Sequence, residues 1–315
     1  MVRAASCATL TQGRSAIAAI TVAASVLVVA EPAHSQNATA NLLHTIDTSR
    51  FDPPSPDPSG LTFLPDSASL LISDGEVNET PLFTGDNLYV MNLTGDLLET
   101  RTTLPFSDEP AGVEIVYTQG ELTMYVADDT GGSRIYVVKA GKDGILSTAD
   151  DVVTSFPTST FGSRDPEGLA FARNSVSGGT LFVADGVSST LYLIQPGPNR
   201  KFDGADDRVQ SFDTESLGIR DPEGVAYNTD NGHLYIVGRR SSTVAEVTTR
   251  GILVQSIDIS EANARKPSGI AYGPSSANPD TPSLYISDRG ADNNPQPDEN
   301  DGRIYEMTVP APLMR

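Results

Sequence analysis

Short runs of alternating apolar and polar residues recur along the chain from about residue 57 onward, punctuated by Gly, Asp, Asn and Pro. β-Branched and aromatic residues dominate these runs and no stretch carries a convincing helical period, so they read as antiparallel strands joined by turns. The runs come in sets. Each set opens with a charged residue, Pro, a small or acidic residue, Gly and alternating apolar positions: "DPSGLTF" at 57, "EPAGVEI" at 109, "DPEGLAF" at 165, "DPEGVAY" at 221 and "KPSGIAY" at 266. The openings lie 52, 56, 56 and 45 residues apart, the spacing of one supersecondary unit per repeat. A second run follows each opening: "LLISD", "MYVAD", "LFVAD", "LYIVG" and "LYISD". A third comes next ("NLYVMN", "RIYVVK", "TLYLIQ", "TVAEVT", "RIYEMT"), and a fourth closes four of the sets ("LLETRTTL", "VVTSFPT", "VQSFDT", "ILVQSIDIS").

Four strands in each repeat of roughly 40 to 50 residues describe the blade of a β-propeller. The predicted fold is all-β: a propeller of four-stranded antiparallel blades starting near residues 57, 109, 165, 221 and 266. The fifth set lacks a fourth run. "LLHTIDTS" at 42–49 resembles the fourth run of set four yet precedes the first motif. As the outer strand of the last blade, this N-terminal clasp would close the ring.

The same geometry predicts where the acids go. The chain begins each blade at its inner strand, so the loop leading into a blade and the loop after its second strand share one face. Asp165, Glu167, Asp221 and Glu223 lie in lead-in loops, with Asp57 and Glu109 in equivalent places, while Asp74, Asp128, Asp185 and Asp288 end second runs. A ring of carboxylates around one mouth of the central channel is expected. Turn chemistry accounts for the Asp, Pro and Gly of the motif. It does not account for the third place, which holds Ser59, Ala111, Glu167, Glu223 and Ser268. Two like charges near an axis repel unless a cation or a proton lies between them. Converging carboxylates suit a hard, oxygen-seeking cation, Ca²⁺ before Mg²⁺. The candidate ligands at the mouth are Glu167, Glu223, Asp165, Asp221, Asp288 and Asp74.

Two parallel insertions between third and fourth runs, "GKDGILSTADD" and "GPNRKFDGADD", carry a weaker candidate set, Asp150, Asp151, Asp206 and Asp207, on the opposite face. They lack the spacing and closing Glu of an EF-hand. The segment "DRGADNNPQPDENDG" at 288–302 returns to the acidic face with Asp292, Asn293, Asp298, Asn300 and Asp301 as a second ion site or a lid.

The Pro-x-Gly-apolar opening and the "LYVAD"-like second strand resemble the NHL and gluconolactonase-like propellers, a superfamily that includes calcium-dependent lactonases, phosphotriesterases and phytase-like esterases. The resemblance spans the chain after residue 35 as architecture, through short motifs. It implies a propeller that is usually six-bladed, whereas five motifs are present, so five blades are favoured and six stay open. It also implies that the Glu of an "EG" pair, matched here by Glu167 and Glu223, is a metal ligand. The Asn ligands those families take from other blades have no clear match.

Composition narrows the chemistry. Arg3 and Arg14, an apolar run from Ala16 to Ala30 and small residues at Ala33 and Ser35 read as a secretory signal over 1–35, leaving a single domain at 36–315. Export, to the medium or a periplasm, follows as an expectation, with no membrane span after cleavage. Cys7, the only cysteine, lies in that leader, so packing, metal or ring closure must hold the fold. A formal net charge of −20 argues against nucleic acid and for cations as partners. After the leader only His44 and His233 remain, neither expected at the acidic mouth, and no nucleophile elbow, phosphate loop or zinc pattern is present. Two functions stay open. One is an exported binding or scaffold propeller with a calcium site, engaging a small molecule, glycan or protein. The other is a calcium-dependent hydrolase of a lactone, ester or phosphoester, with Asp185 or Asp128 as base and Arg239 orienting an anionic substrate.

Overall fold

The computed structural model describes residues 36–118, 120–173, 178–203, 206–291 and 295–311. The chain divides into two compact units, Met1–His34 and Ser35–Arg315, and every described residue belongs to the second. The leader expected at 1–35 and the loop residues Asp292 and Asn293 lie outside the described residues.

Strand β1 spans Gln36–Thr39 and β2 spans Leu42–Asp47. The first blade is β3 (Pro58–Leu64), β4 (Ser69–Asp74), β5 (Leu88–Asn92) and β6 (Leu97–Arg101). The second is β7 (Pro110–Thr118), β8 (Glu121–Asp128), β9 (Arg134–Lys139) and β10 (Val152–Pro157). The third is β11 (Pro166–Ala172), β12 (Thr180–Asp185), β13 (Thr190–Gln195) and β14 (Arg208–Asp213). The fourth is β15 (Pro222–Tyr227), β16 (His233–Gly238), β17 (Thr243–Thr248) and β18 (Leu253–Asp258). The fifth is β19 (Pro267–Pro274), β20 (Pro282–Asp288) and β21 (Arg303–Thr308), completed by β2 antiparallel to β21. The molecule is a five-bladed propeller closed by its N-terminal clasp. One feature was not anticipated: β1 adds a fifth, parallel strand to the edge of blade four, pairing Gln36 to Thr39 with Gln255 to Asp258. It covers backbone groups that an outer strand otherwise presents unpaired.

Five apolar clusters lie between blades. The one joining blades four and five, for example, sets Tyr235, Val237 and Ile257 against Ile270, Leu284 and Ile286. Second strands such as β4 and β12 are buried along their whole length, since a neighbouring blade covers each of their faces, whereas β14 is largely exposed at the rim.

The motif glycines explain how the inner strands come together. A Cβ on Gly60 would lie 2.8 Å from Gly112 Cα, one on Gly112 2.3 Å from the Glu167 carbonyl oxygen, and one on Gly168 2.6 Å from that of Glu223. The series continues with Gly224 at 2.2 Å from the Ser268 carbonyl and Gly269 at 2.5 Å from that of Ser59. Each glycine faces the next blade, and the fifth returns to the first. Any side chain here would push adjacent backbones apart, which is why the fourth motif place is Gly in every repeat.

Each inner pair also carries a register shift just after the motif Pro: between Pro58 and Leu61, Pro110 and Gly112, Pro166 and Leu169, Pro222 and Gly224, and Pro267 and Ile270. A bulge re-aims the side chain it carries. In the third and fourth blades that side chain is Glu167 or Glu223.

Candidate metal centre

The Asp that ends a second strand stands opposite the motif Pro in four blades: Asp74 against Pro58, Asp128 against Pro110, Asp185 against Pro166 and Asp288 against Pro267. Its carboxylate is taken up by the lead-in loop. Asp74 Oδ2 accepts from Ser55 Oγ at 2.7 Å and Asp57 N at 2.9 Å, and Oδ1 from Glu76 N at 3.0 Å. Asp128 accepts from Ser107 Oγ at 2.6 Å and from Thr130 N and Oγ1 at 3.0 and 2.7 Å. Asp185 accepts from Arg164 N at 2.8 Å, Asp165 N at 3.2 Å and Ser188 N at 2.7 Å. Asp288 accepts from Arg265 N, Lys266 N and Gly290 N at 3.0, 2.8 and 3.1 Å. These four acids brace the blade starts, so their place differs from that of free ligands or bases. Burial works against Asp185, yet hydrogen bonds such as those from Ser188 and the Arg164 backbone hold its carboxyl below the ordinary value, which makes it a poor general base.

The mouth itself is formed by other acids. One carboxylate oxygen from each of Asp129, Asp165 and Glu167 lies within 4.8 Å of the others. Glu167 and Glu223 are only 7 % and 3 % exposed. Asp165 and Asp221 converge on Gly186, where an added Cβ would lie 2.7 Å from Asp165 Oδ2 and 2.8 Å from Asp221 Oδ1. Asp221 takes the left-handed backbone conformation at φ +51°, uncommon for a residue with a side chain. Two arginines face this acid. Arg289, on the segment after β20, sits 2.6 Å from Asp57 Oδ1 and 3.1 Å from Glu76 Oε1 with its side chain 18 % exposed. Arg239, after β16, is 3.9 Å from Glu223 Oε1.

The charge is not balanced by these two cations. Burial pushes Glu167 well above the usual carboxylate range, with Glu223 and Asp129 adding to the rise against the pull of Arg289. Burial likewise lifts Glu223 to about 7, although Arg289 and Arg239 oppose it. Glu109, half-buried beside the group, is pushed up to about 7 by burial, then by Asp129 and Glu79. Asp129, Asp165 and Asp57 also rise, in each case chiefly through burial. Arg289 moves the opposite way: burial alone would lower it, but Asp57, Glu223, Glu167 and Glu76 outweigh that and hold its charge. Three buried carboxylate oxygens here, Asp57 Oδ2, Asp129 Oδ1 and Glu223 Oε2, have no hydrogen-bond partner among the described residues. Buried oxygens of this kind ask for a proton or a cation.

The remaining candidates lie elsewhere. Asp150 and Asp151 fold the tip between β9 and β10, where Asp150 accepts from Lys142 N at 2.7 Å and Thr148 Oγ1 at 2.9 Å. Asp206 and Asp207 do the same between β13 and β14, and an oxygen of each lies within 4.8 Å of one from Asp203. Both tips are on the face away from the mouth. Asp301 pairs with Arg265 at 2.6 Å and ties Ala291 N at 2.9 Å, and Asn300 Nδ2 reaches the Ser49 carbonyl at 3.2 Å. His233 pairs with buried Glu246 at 2.7 Å, at the start of β16 and away from the acidic mouth.

Sequence reasoning missed Asp129 and Arg289 as mouth residues. Gly238, not Arg239, stands where the brace Asp stands in other blades, since Pro222 pairs with Gly238. The residue after the brace position is the one that faces the mouth: Gly75, Asp129, Gly186, Arg239 and Arg289.

No family model matches the chain, and no curated protein matches it. Among solved structures, the calcium-binding protein regucalcin from Agrobacterium tumefaciens is 13% identical, with 90% of this chain and 100% of that chain covered at a TM-score of 0.50. A luciferin-regenerating enzyme is 12% identical over 81% and 92% of the two chains at 0.49. A 6-phosphogluconolactonase from Bacteroides uniformis is 20% identical over 75% and 68% at 0.40. Of these three only regucalcin reaches one half, and at that identity the likeness is one of fold alone.

Proposed function

We propose that the acidic mouth is a divalent-cation site, Ca²⁺ ahead of Mg²⁺, and that the protein is an exported binding propeller built around it. The observation that carries this reading is the set of buried, unpartnered carboxylate oxygens beside the Asp129, Asp165 and Glu167 cluster. Asp129, Asp165 and Glu167 would hold the ion, with Glu223 Oε2 next to them; main-chain carbonyls and water would complete an oxygen shell of the six to eight ligands Ca²⁺ takes. The fit is chemical: every donor is a hard oxygen, and the like charges that raise one another's pKa are relieved by a dication. The calcium-binding description of the regucalcin neighbour points the same way without supplying the reading. Export rests on the leader-like character of residues 1–35.

Melting curves in excess Ca²⁺ and in chelator test the site. The wild-type protein should melt higher in Ca²⁺, and the Glu167→Gln, Glu223→Gln double variant should melt at the same temperature in both. A wild-type curve indifferent to Ca²⁺ and Mg²⁺ would sink the reading.

A hydrolytic role is favoured by one further observation, the place of Glu109: a half-buried carboxyl at the edge of the cluster and outside its three ligands, raised to about 7 in the cation-free site first by burial and then by Asp129 and Glu79. A general base works best with a pKa near the working pH. When bound, the cation would supply Lewis-acid polarisation of a carbonyl or phosphoryl oxygen. Glu109 would take the proton from water, and Arg239, 39 % exposed, would hold an anionic group. Lactone and phosphoester hydrolysis that is abolished by chelator and by Glu109→Gln supports this role; zero turnover in both Ca²⁺ and chelator removes it.

A further inference from the structure

The inner strands run on past the glycine ring and open, at the opposite end of the channel, into a cavity of about 640 Å³. It is remote in kind from the acidic mouth. Its walls mix apolar and aromatic side chains, the rings of Phe63, Phe171, Tyr227 and Tyr272 among them, with the charged groups Glu114, Arg173, Asp230 and Asp280. Three of these rings are backed by a second ring: Phe171 stacks on Tyr125 at 6.0 Å, Tyr227 on Phe182 at 6.1 Å and Tyr272 on Tyr235 at 5.9 Å. They are rigid surfaces.

One residue breaks the pattern. The sixth motif place is Thr62, Glu114, Ala170, Ala226 and Ala271. Four of the five are small, as a narrow channel wall requires, and the fifth is a glutamate that lines the cavity. Strand propensity does not ask for Glu on an inner strand, and a carboxylate in apolar surroundings carries a desolvation cost. Thr62 Oγ1 donates to Glu114 Oε2 at 2.7 Å and fixes the carboxyl in the wall. Burial pushes its ionisation up to about 8, against Thr62 and Arg173, whose side chain lines the same cavity. Neither the fold nor the cation site uses this group.

We propose that this cavity binds a small organic cation, a protonated amine on an apolar or aromatic body, with Glu114 receiving the ammonium and the rings receiving the body. A carboxylate accepting from N⁺–H makes one of the stronger hydrogen bonds, and aromatic faces attract cations. A metal ion does not suit the place, because a hard cation needs several oxygens and Asp230, another lining carboxylate, is engaged by the Tyr272 hydroxyl. The volume lies in the range of small-molecule sites, and the net charge of −20 draws cations toward the protein.

Titration calorimetry in chelator at pH 9, where Glu114 is ionised and the amine still carries its proton, on the intact protein, with phenethylamine, 2-phenylethanol and 3-phenylpropionate tests the proposal independently of the other mouth. The amine should bind about tenfold more tightly than the alcohol, and the carboxylate least. Glu114→Gln should bring the amine down to the level of the alcohol and leave the alcohol unchanged. The proposal is overturned if the alcohol or the acid binds as well as the amine, if none binds at millimolar concentration, or if Glu114→Gln leaves amine binding intact. Comparing the three probes on wild-type protein decides the matter even if the variant fails to fold.

Discussion

Replacing Glu223 by glutamine should stabilise the cation-free protein, against the usual outcome of changing a buried charged residue. Glu223 is 3 % exposed, and its ionisation rises from an ordinary 4.5 to about 7, first through burial and then through Asp221 and Asp165, with Arg289 and Arg239 opposing. A raised acid keeps its proton longer folded than unfolded. Unfolding therefore releases a proton between about pH 4.5 and 7, and stability falls as pH rises through that window. At about 1.4 kcal/mol per pH unit, the full loss above pH 7 is about 3 kcal/mol. Glutamine has nearly the same shape, cannot ionise, and offers an amide that can donate to a neighbouring carboxylate. The assay is urea unfolding of wild type and Glu223→Gln in chelator at pH 5 and pH 8. The variant should be roughly 2 to 3 kcal/mol more stable at pH 8 and nearly equal at pH 5. Equal stability at pH 8, or a variant weaker at both pH values, would refute the claim that like charge is crowded at this mouth. With saturating Ca²⁺ the gap should narrow, since the ion relieves in the wild type the like charge that the variant removes.

Arg289→Met removes the buried cation from this cluster and should cost ~3 to 5 kcal/mol at pH 8, shrinking toward pH 5 as the raised acids Asp57, Glu167 and Glu223 take up protons; denaturation at the two pH values checks it. Gly168→Ala places a Cβ 2.6 Å from a backbone oxygen and 2.7 Å from Gly224 Cα, so unfolding should show a loss of ~3 kcal/mol or more, while Gly75→Ala, whose nearest neighbour is the Ser59 hydroxyl at 3.1 Å, should change little. Asp74→Asn should lower stability by about 1 to 3 kcal/mol through the loosened blade start and leave Ca²⁺ affinity unchanged by calorimetry, as befits a brace.

The architecture was legible because a repeat repeats. Five motifs 45 to 56 residues apart and one missing fourth strand favoured five blades over six and assigned 42–49 to the last blade, where β2 lies. Strand β1 was not legible, since "QNAT" has neither apolar alternation nor a partner motif, and its place is set by the uncovered edge of β18. At the mouth, the third-place glutamates were visible as departures from turn chemistry, and the bulge that aims them was not. The bracing place of the second-strand acids has a local cause. Asp128 still pairs across the sheet with Arg134, so its side chain turns back to the lead-in loop, and Asp129, one residue on, has left the ladder. A one-residue step changes the side of the chain on which a side chain stands. Reading the position after the brace in every blade would have found Asp129 and Arg289 together with Arg239. Glu114 carried the same kind of signal, an acid at a place where the other repeats are small.

Equilibrium dialysis of the purified protein against Ca²⁺, with bound metal counted by atomic emission, tests the central claim most directly. One Ca²⁺ per chain should be retained by the wild type and lost in the Asp129→Asn, Glu167→Gln double variant, with the fold intact by circular dichroism. A wild type that retains none, or a double variant that retains the same amount, would contradict it.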